Sequence, residues 1–195
     1  MKKIIILLIG VAMSSVAYAQ FTKGTIMAGG SLGASFDTNK TEAGNTTTTT
    51  GTTNTVNFFP QAGYFVIDNL AVGAGINLSS STTKFNGTNN KTTISSASFA
   101  PFARYYYQKF YGQFSFNVGS GNNKNTNGNV TTDNKFSTSG WSLAAGYAYL
   151  LNEHVAVEPQ IGYGSASQKA KVSGNKNIDS GLFIRIGLQI YLRKK

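Results

Sequence analysis

The stretch APFARYYYQKFYGQFSFNVG, residues 100–119, decides how this chain is read. Two aromatic runs flank a Gln108-Lys109 turn, and a permanent charge, Arg104, stands inside the first run. Alternation puts Phe99, Pro101, Ala103, Tyr105 and Tyr107 on one face of a strand and Ser98, Phe102, Arg104 and Tyr106 on the other. After the turn, Phe114, Phe116 and Val118 oppose Gln113, Ser115 and Asn117. A wholly apolar face backed by a mixed one implies two different solvents, and Arg104 is explained only once both are known.

The compartment follows from the beginning of the chain. MKKIIILLIGVAMSSVAYAQ sets Lys2 and Lys3 before an apolar run and ends in Ala17-Tyr18-Ala19, the order of a secretory signal peptide cleaved after Ala19. The competing reading is an uncleaved anchor, but the run is shorter than the roughly 18–20 residues a bilayer-crossing helix needs. Residues 20–195 would form one domain. Charged residues are only 12%, glycines number 22 and cysteine is absent, so an exported chain must be stabilised without a disulfide framework.

Beyond the signal no helical period is sustained. Eight period-two segments follow, from TIMAGGSLGASF near the beginning to GLFIRIGLQIYL near the end. Their connections alternate. Long polar stretches (DTNKTEAGNTTTTTGTTN, KFNGTNNKT, GNNKNTNGNVTTDN and QKAKVSGNKNID) alternate with tight turns at Ile67-Asp68-Asn69, Gln108-Lys109 and Leu151-Asn152-Glu153-His154. An even number of antiparallel strands with short turns on one side and long loops on the other predicts an all-β fold, an eight-stranded up-and-down transmembrane β-barrel. The threonine run at residues 46–50 reads as a low-complexity, mobile loop.

In hydrocarbon every backbone polar group must be satisfied internally, so the sheet closes and its mixed face lines a lumen. Arg104, Glu158 and Arg185 then point inward, where unpaired charge is costly, and they are expected to form one network near the periplasmic end. Tyr105, Tyr107, Phe110, Tyr147 and Tyr149 lie beside the short turns as an aromatic girdle at the periplasmic interface. Inward glycines, including Gly73, Gly75, Gly162 and Gly164, suit a narrow barrel. A soluble lipid carrier would invert the faces, but the polar face holds mainly Gly, Ser, Asn and Gln, which solubilise a surface poorly.

On the ending AYAQ, APFARYYY, the alternating loops and the final GLFIRIGLQIYL, the chain from Gln20 to Leu192 resembles the small eight-stranded outer-membrane barrels. These are the OmpX-like or porin-family type of Gram-negative bacteria, Bacteroidota included. The resemblance implies a monomer in the cell outer membrane, surrounded by its lipid and delivered by the outer-membrane assembly machinery. Such barrels often end on an aromatic residue that the machinery recognises, whereas here Tyr191 is followed by LRKK.

Fold alone argues no activity. An outer-membrane hydrolase or acyltransferase would use a His with a Ser or Asp at the outer rim, but the single histidine, His154, lies in a short turn on the opposite side and reads as a solvated turn residue. Seven acidic residues, scattered, form no acid–base pair, and without cysteine or clustered carboxylates neither a metal nor another cofactor is expected. A narrow porin is the second reading, opposed by Phe59, Gln61, Phe65, Phe102, Tyr106 and Tyr111, which should fill the lumen. The third is a plugged scaffold displaying polar loops, whose lysines, such as Lys84, Lys124 and Lys169, could meet lipopolysaccharide phosphates. The net charge of +10 does not indicate nucleic acid binding, because two charges leave with the signal and no basic helix or stacking sheet is exposed.

Overall fold

A computed structural model describes residues 21–43, 46–171 and 175–193. The expected signal segment, its cleavage after Ala19 and the final two lysines lie outside these residues. The strands are β1 (Ile26–Ala43), β2 (Thr46–Ile67), β3 (Leu70–Phe85), β4 (Lys91–Tyr107), β5 (Phe110–Asn127), β6 (Val130–Tyr147), β7 (Tyr149–Leu150), β8 (Val155–Ala170) and β9 (Lys176–Leu192). Each of β2 to β6 pairs antiparallel with its predecessor, β6 and the short β7 both pair with β8, β8 pairs with β9, and β9 pairs back to β1. Since β7 only continues the line of β6 past Ala148, the ring is an up-and-down barrel of eight staves.

The apolar faces point outward. Phe99, Phe114, Phe116, Leu143, Ile161 and Leu188 are all exposed, while Phe65, Phe102, Tyr106 and Tyr111 are buried inside. This orientation suits a lipid surround and is opposite to that of a soluble carrier.

The polar stretches do not form long loops. Strands run 16–22 residues apart from β7, well beyond the roughly 9–11 that span a membrane, and the surplus continues the barrel wall outward. The threonine run expected to be mobile belongs to β2, where Thr48 and Thr49 pair with Thr41 and Lys40. The reason is physical: threonine favours pleated backbone, and beyond the bilayer both strand faces meet water, so the alternation that marks a strand disappears. Cross-strand hydroxyl contacts stitch this region, with Thr53 Oγ1 2.9 Å from Thr83 Oγ1 and Thr55 Oγ1 2.9 Å from Ser81 Oγ.

The opposite rim turns tightly, as the sequence suggests. Ile67 pairs with Leu70 and Tyr107 with Phe110, leaving two-residue turns in which Asn69 (φ 66°) and Gln108 (φ 57°) adopt the left-handed conformation. That conformation costs an L-residue about 1–2 kcal/mol, part of which glycine recovers. Gln108→Gly should therefore raise the urea midpoint of the refolded barrel by the equivalent of about 0.5–1 kcal/mol, and Gln108→Val should lower it.

Candidate functional site

The β4–β5 register sets Arg104 directly opposite Gln113, and both side chains enter the lumen. Arg104 Nε donates to Gln113 Oε1 (2.7 Å), while its Nη1 donates to Tyr106 Oη (3.0 Å) and Glu158 Oε2 (2.7 Å). The Tyr191 hydroxyl donates to the other Glu158 oxygen and lies 2.9 Å from that of Tyr106. Gln113 Nε2 passes the chain on to Ser115 Oγ (3.1 Å). Arg104 is 1% exposed and Glu158 2%, so the ion pair spans the lumen from β4 to β8 without solvent. The Tyr111 ring lies 4.2 Å from the Arg104 guanidinium carbon, covering it with π-density.

An aromatic stopper seals the short-turn side of this network. Phe21, 4% exposed, stacks on Tyr106 with ring centroids 4.1 Å apart and meets Tyr191 edge-on at 5.4 Å; Phe65 packs beside both. The short segment before β1 is tied across the rim: Asn69 N donates to Phe21 O (2.6 Å), Gly24 N to Phe65 O (2.9 Å) and Lys23 N to Asp68 Oδ1 (2.7 Å). Inward glycines make room for rings. A Cβ on Gly73 would lie 2.7 Å from Phe102 Cζ, and one on Gly162 would lie 2.5 Å from Phe183 Cζ.

Arg185 does not join the Arg104–Glu158 pair as expected. The β8–β9 register places Glu158 against Gly187 and Arg185 against Gln160, so Arg185 sits two residues further from the short-turn rim, and both Glu158 oxygens are already engaged. Its guanidinium packs instead on Phe183 (4.4 Å) and Phe59 (5.6 Å). Of the expected girdle, Tyr105, Tyr107, Phe110 and Tyr149 are exposed on the outer wall near the short turns, and Tyr147 is half-buried with its ring 4.9 Å from that of Phe110. His154 is an exposed turn residue whose Nδ1 lies 3.1 Å from Tyr191 O.

Three participants escaped the sequence reading. Gln113 and Tyr191 carried a usable signal: one faces Arg104 across the hairpin, and the other shares the inward parity of Arg185. Phe21 carried none, because it precedes the first alternating segment.

With the closed barrel and its filled lumen in view, the comparisons are decisive at the family level. Residues 31–171 match the model of the autotransporter β-domain. The chain belongs to the autotransporter β-domain family. Among solved structures, the translocator domain of the autotransporter NalP from Neisseria meningitidis is similar at TM-score 0.50 and 14% identity, over 97% of this chain and 67% of that one. Neisserial surface protein A matches at TM-score 0.47 and 13% identity (86% and 97% covered), and OprG from Pseudomonas aeruginosa at 0.49 and 14% (89% and 98% covered). No curated protein gives a significant sequence match. The protein is thus an outer-membrane β-barrel domain.

Removing one partner of a buried ion pair leaves the other charge stranded, at a cost of about 3–5 kcal/mol, whereas replacing both with apolar groups can be close to neutral. Glu158→Gln should accordingly lower the thermal midpoint of the refolded barrel far more than Arg185→Gln, which removes no ion pair. The double replacement Arg104→Met/Glu158→Leu should recover most of the loss. Heat-modified mobility on a denaturing gel, followed against temperature, reads all three.

Proposed function

We propose that this barrel is a non-catalytic membrane scaffold, closed to solutes, that displays its polar hairpin extensions at the cell surface in a structural, adhesive or surface-binding role. The observation that carries the reading is the stopper: Phe21, Phe65, Tyr106 and Tyr191 fill the periplasmic half of the lumen above the short turns, and the Arg104–Glu158 pair braces the opposite walls against one another. A channel needs a continuous wet path, and side chains at 0–5% exposure leave none there. The finer likeness to the OmpX-like barrels belongs to the same reading, since that type is also narrow and eight-stranded.

The surface role rests on the charge of the extensions. Lys84, Lys91, Lys124, Lys135, Lys169 and Lys176 stand on the outer ends of the strands, near only a few acids such as Asp133 and Asp179. A basic rim attracts anionic partners, lipopolysaccharide phosphates among them, within the roughly 10 Å reach of unscreened charge at moderate salt.

Planar-bilayer recording of the refolded full chain tests the closure. Inserted wild-type protein should be electrically silent, and Phe21→Ala combined with Tyr106→Ala should produce small conductance steps as the stopper is removed. Reproducible steps from the wild type would favour the narrow-porin reading. For the surface role, adding lipopolysaccharide to the outer leaflet should slow lateral diffusion of the wild type, and Lys→Gln changes at the six lysines named above should abolish that slowing.

A further inference from the structure

The wall is incomplete between β1 and β9. Their pairing runs from Ile26–Leu192 to Ser31–Gly187 and stops, although β1 continues to Ala43 against β2 and β9 reaches back to Lys176 against β8. Continuing the register would set Gly33 against Arg185 and Ala34 against Ile184, but the strands have parted there. The side chains along the parting are correspondingly bare. Leu32 is 73% exposed, Phe36 78%, Leu182 77% and Ile184 78%, compared with 48% for the lipid-facing Phe116. A Cβ built on Gly33 or on Gly181 would meet nothing within 4 Å, so both inward positions beside the parting open onto free space.

The outward apolar positions from Ile26 to Phe36 on β1 and from Leu182 to Leu192 on β9 mark the part of each strand that crosses the hydrocarbon. The parting therefore lies in the outer-leaflet half of the bilayer. Unpaired backbone facing lipid costs several kcal/mol per group, so the gap persists only where water or a ligand meets it. Further out in the lumen, eight residues beyond Arg185 along β9, a cavity of about 440 Å³ is lined by Ile94, Asn123, Asn134, Phe136, Gln168 and Asn177 among others. At the inner lip of the gap stands Arg185. No carboxylate among the described residues lies within ion-pair distance of it, and the acids on the same two strands, Asp37 and Asp179, are more than about 10 Å further along them at the usual rise per residue.

We propose that this seam is a lateral portal that takes up a long-chain fatty carboxylate from the outer leaflet. The carboxylate accepts both parallel N–H bonds of the Arg185 fork, and the chain lies between Leu32 and Phe36 on one side and Leu182 and Ile184 on the other. The arrangement is amphiphilic in the same sense as the ligand: one uncompensated cation inside the wall, apolar lips outside it, and hydrocarbon beyond. Arginine suits this role because its planar fork matches a carboxylate and is weakly hydrated, and the flanking Phe59 and Phe183 rings hold it in place. The portal opens above the stopper and is therefore compatible with a barrel closed to ions.

The test uses the full chain refolded into nanodiscs of a zwitterionic lipid and titrated with spin-labelled stearate or its methyl ester, the motionally restricted fraction being read by electron paramagnetic resonance. Wild-type protein should retain the acid on the order of tenfold more tightly than the ester, the scale of one charge-assisted bidentate contact. Arg185→Gln should reduce the acid to the level of the ester. A second variant guards against loss of folding: Ala34→Cys/Ile184→Cys, oxidised after insertion, should close the seam and release the acid, and reductant should restore its retention. Equal retention of acid and ester by the wild type, or retention that neither change moves, would overturn the proposal. So would a barrel that ignores both probes and sediments as a dimer, which would assign the seam to a second copy.

Discussion

Backbone hydrogen bonding in a medium without water is the constraint from which the rest of this structure follows. An unpaired strand edge in hydrocarbon is costly, so the sheet returns on itself, and closure divides every strand into a face toward lipid and a face toward the lumen. With only eight staves the lumen is narrow, and near the short turns rings and hydrogen-bonded side chains fill it. The aromatic side chains that enter it lie over glycines of neighbouring strands, as Phe102 does over Gly73. A charge there is costly unless it is partnered: Arg104 meets Glu158 on another stave, whereas Arg185 lies against the rings of Phe59 and Phe183.

The Arg104–Glu158 pair costs more in desolvation than an exposed one would, and further hydrogen bonds from its surroundings offset that cost. Gln113, Tyr106 and Tyr191 supply those bonds, so the polar side chains at the centre of the stopper hold one another while Phe21 and Phe65 cover them from the short-turn side. The stopper is assembled from residues on β2, β4, β8 and β9 and from the segment before β1, which ties the two ends of the chain into one packed unit. Closure of the lumen and closure of the barrel are thereby coupled.

The same constraint gives the β1–β9 seam its interest. Elsewhere pairing continues past the hydrocarbon into the polar hairpin extensions, where hydroxyl contacts such as that between Thr53 and Thr83 replace apolar packing as the lateral tie. At the seam pairing ends at Ser31 and Gly187, within the bilayer, on the stave that also carries Arg185. The strands joined there are the first and last of the chain, whose association must be closed over the longest loop and is supported by no hairpin turn.

Much of this was legible in the residues themselves. Period-two alternation with Phe and Tyr on one side located the membrane-crossing part of every stave and the inward direction of Arg104, Glu158 and Arg185, because in hydrocarbon the two faces have opposite chemical requirements. The hairpin extensions were illegible for the complementary reason: with water on both faces, Thr, Ser and Asn satisfy either, and a strand there leaves no periodic trace. Which charges pair was likewise beyond reach. Inward parity admits Arg185 and Arg104 equally as partners of Glu158, and the choice depends on a two-residue offset between β8 and β9 that only the closed register sets. The sequence by itself thus determined the solvent of each face, since that is a property of each side chain alone; the stopper, the ion pair and the open seam were decided by the tertiary structure, since each depends on the distance between residues of different staves.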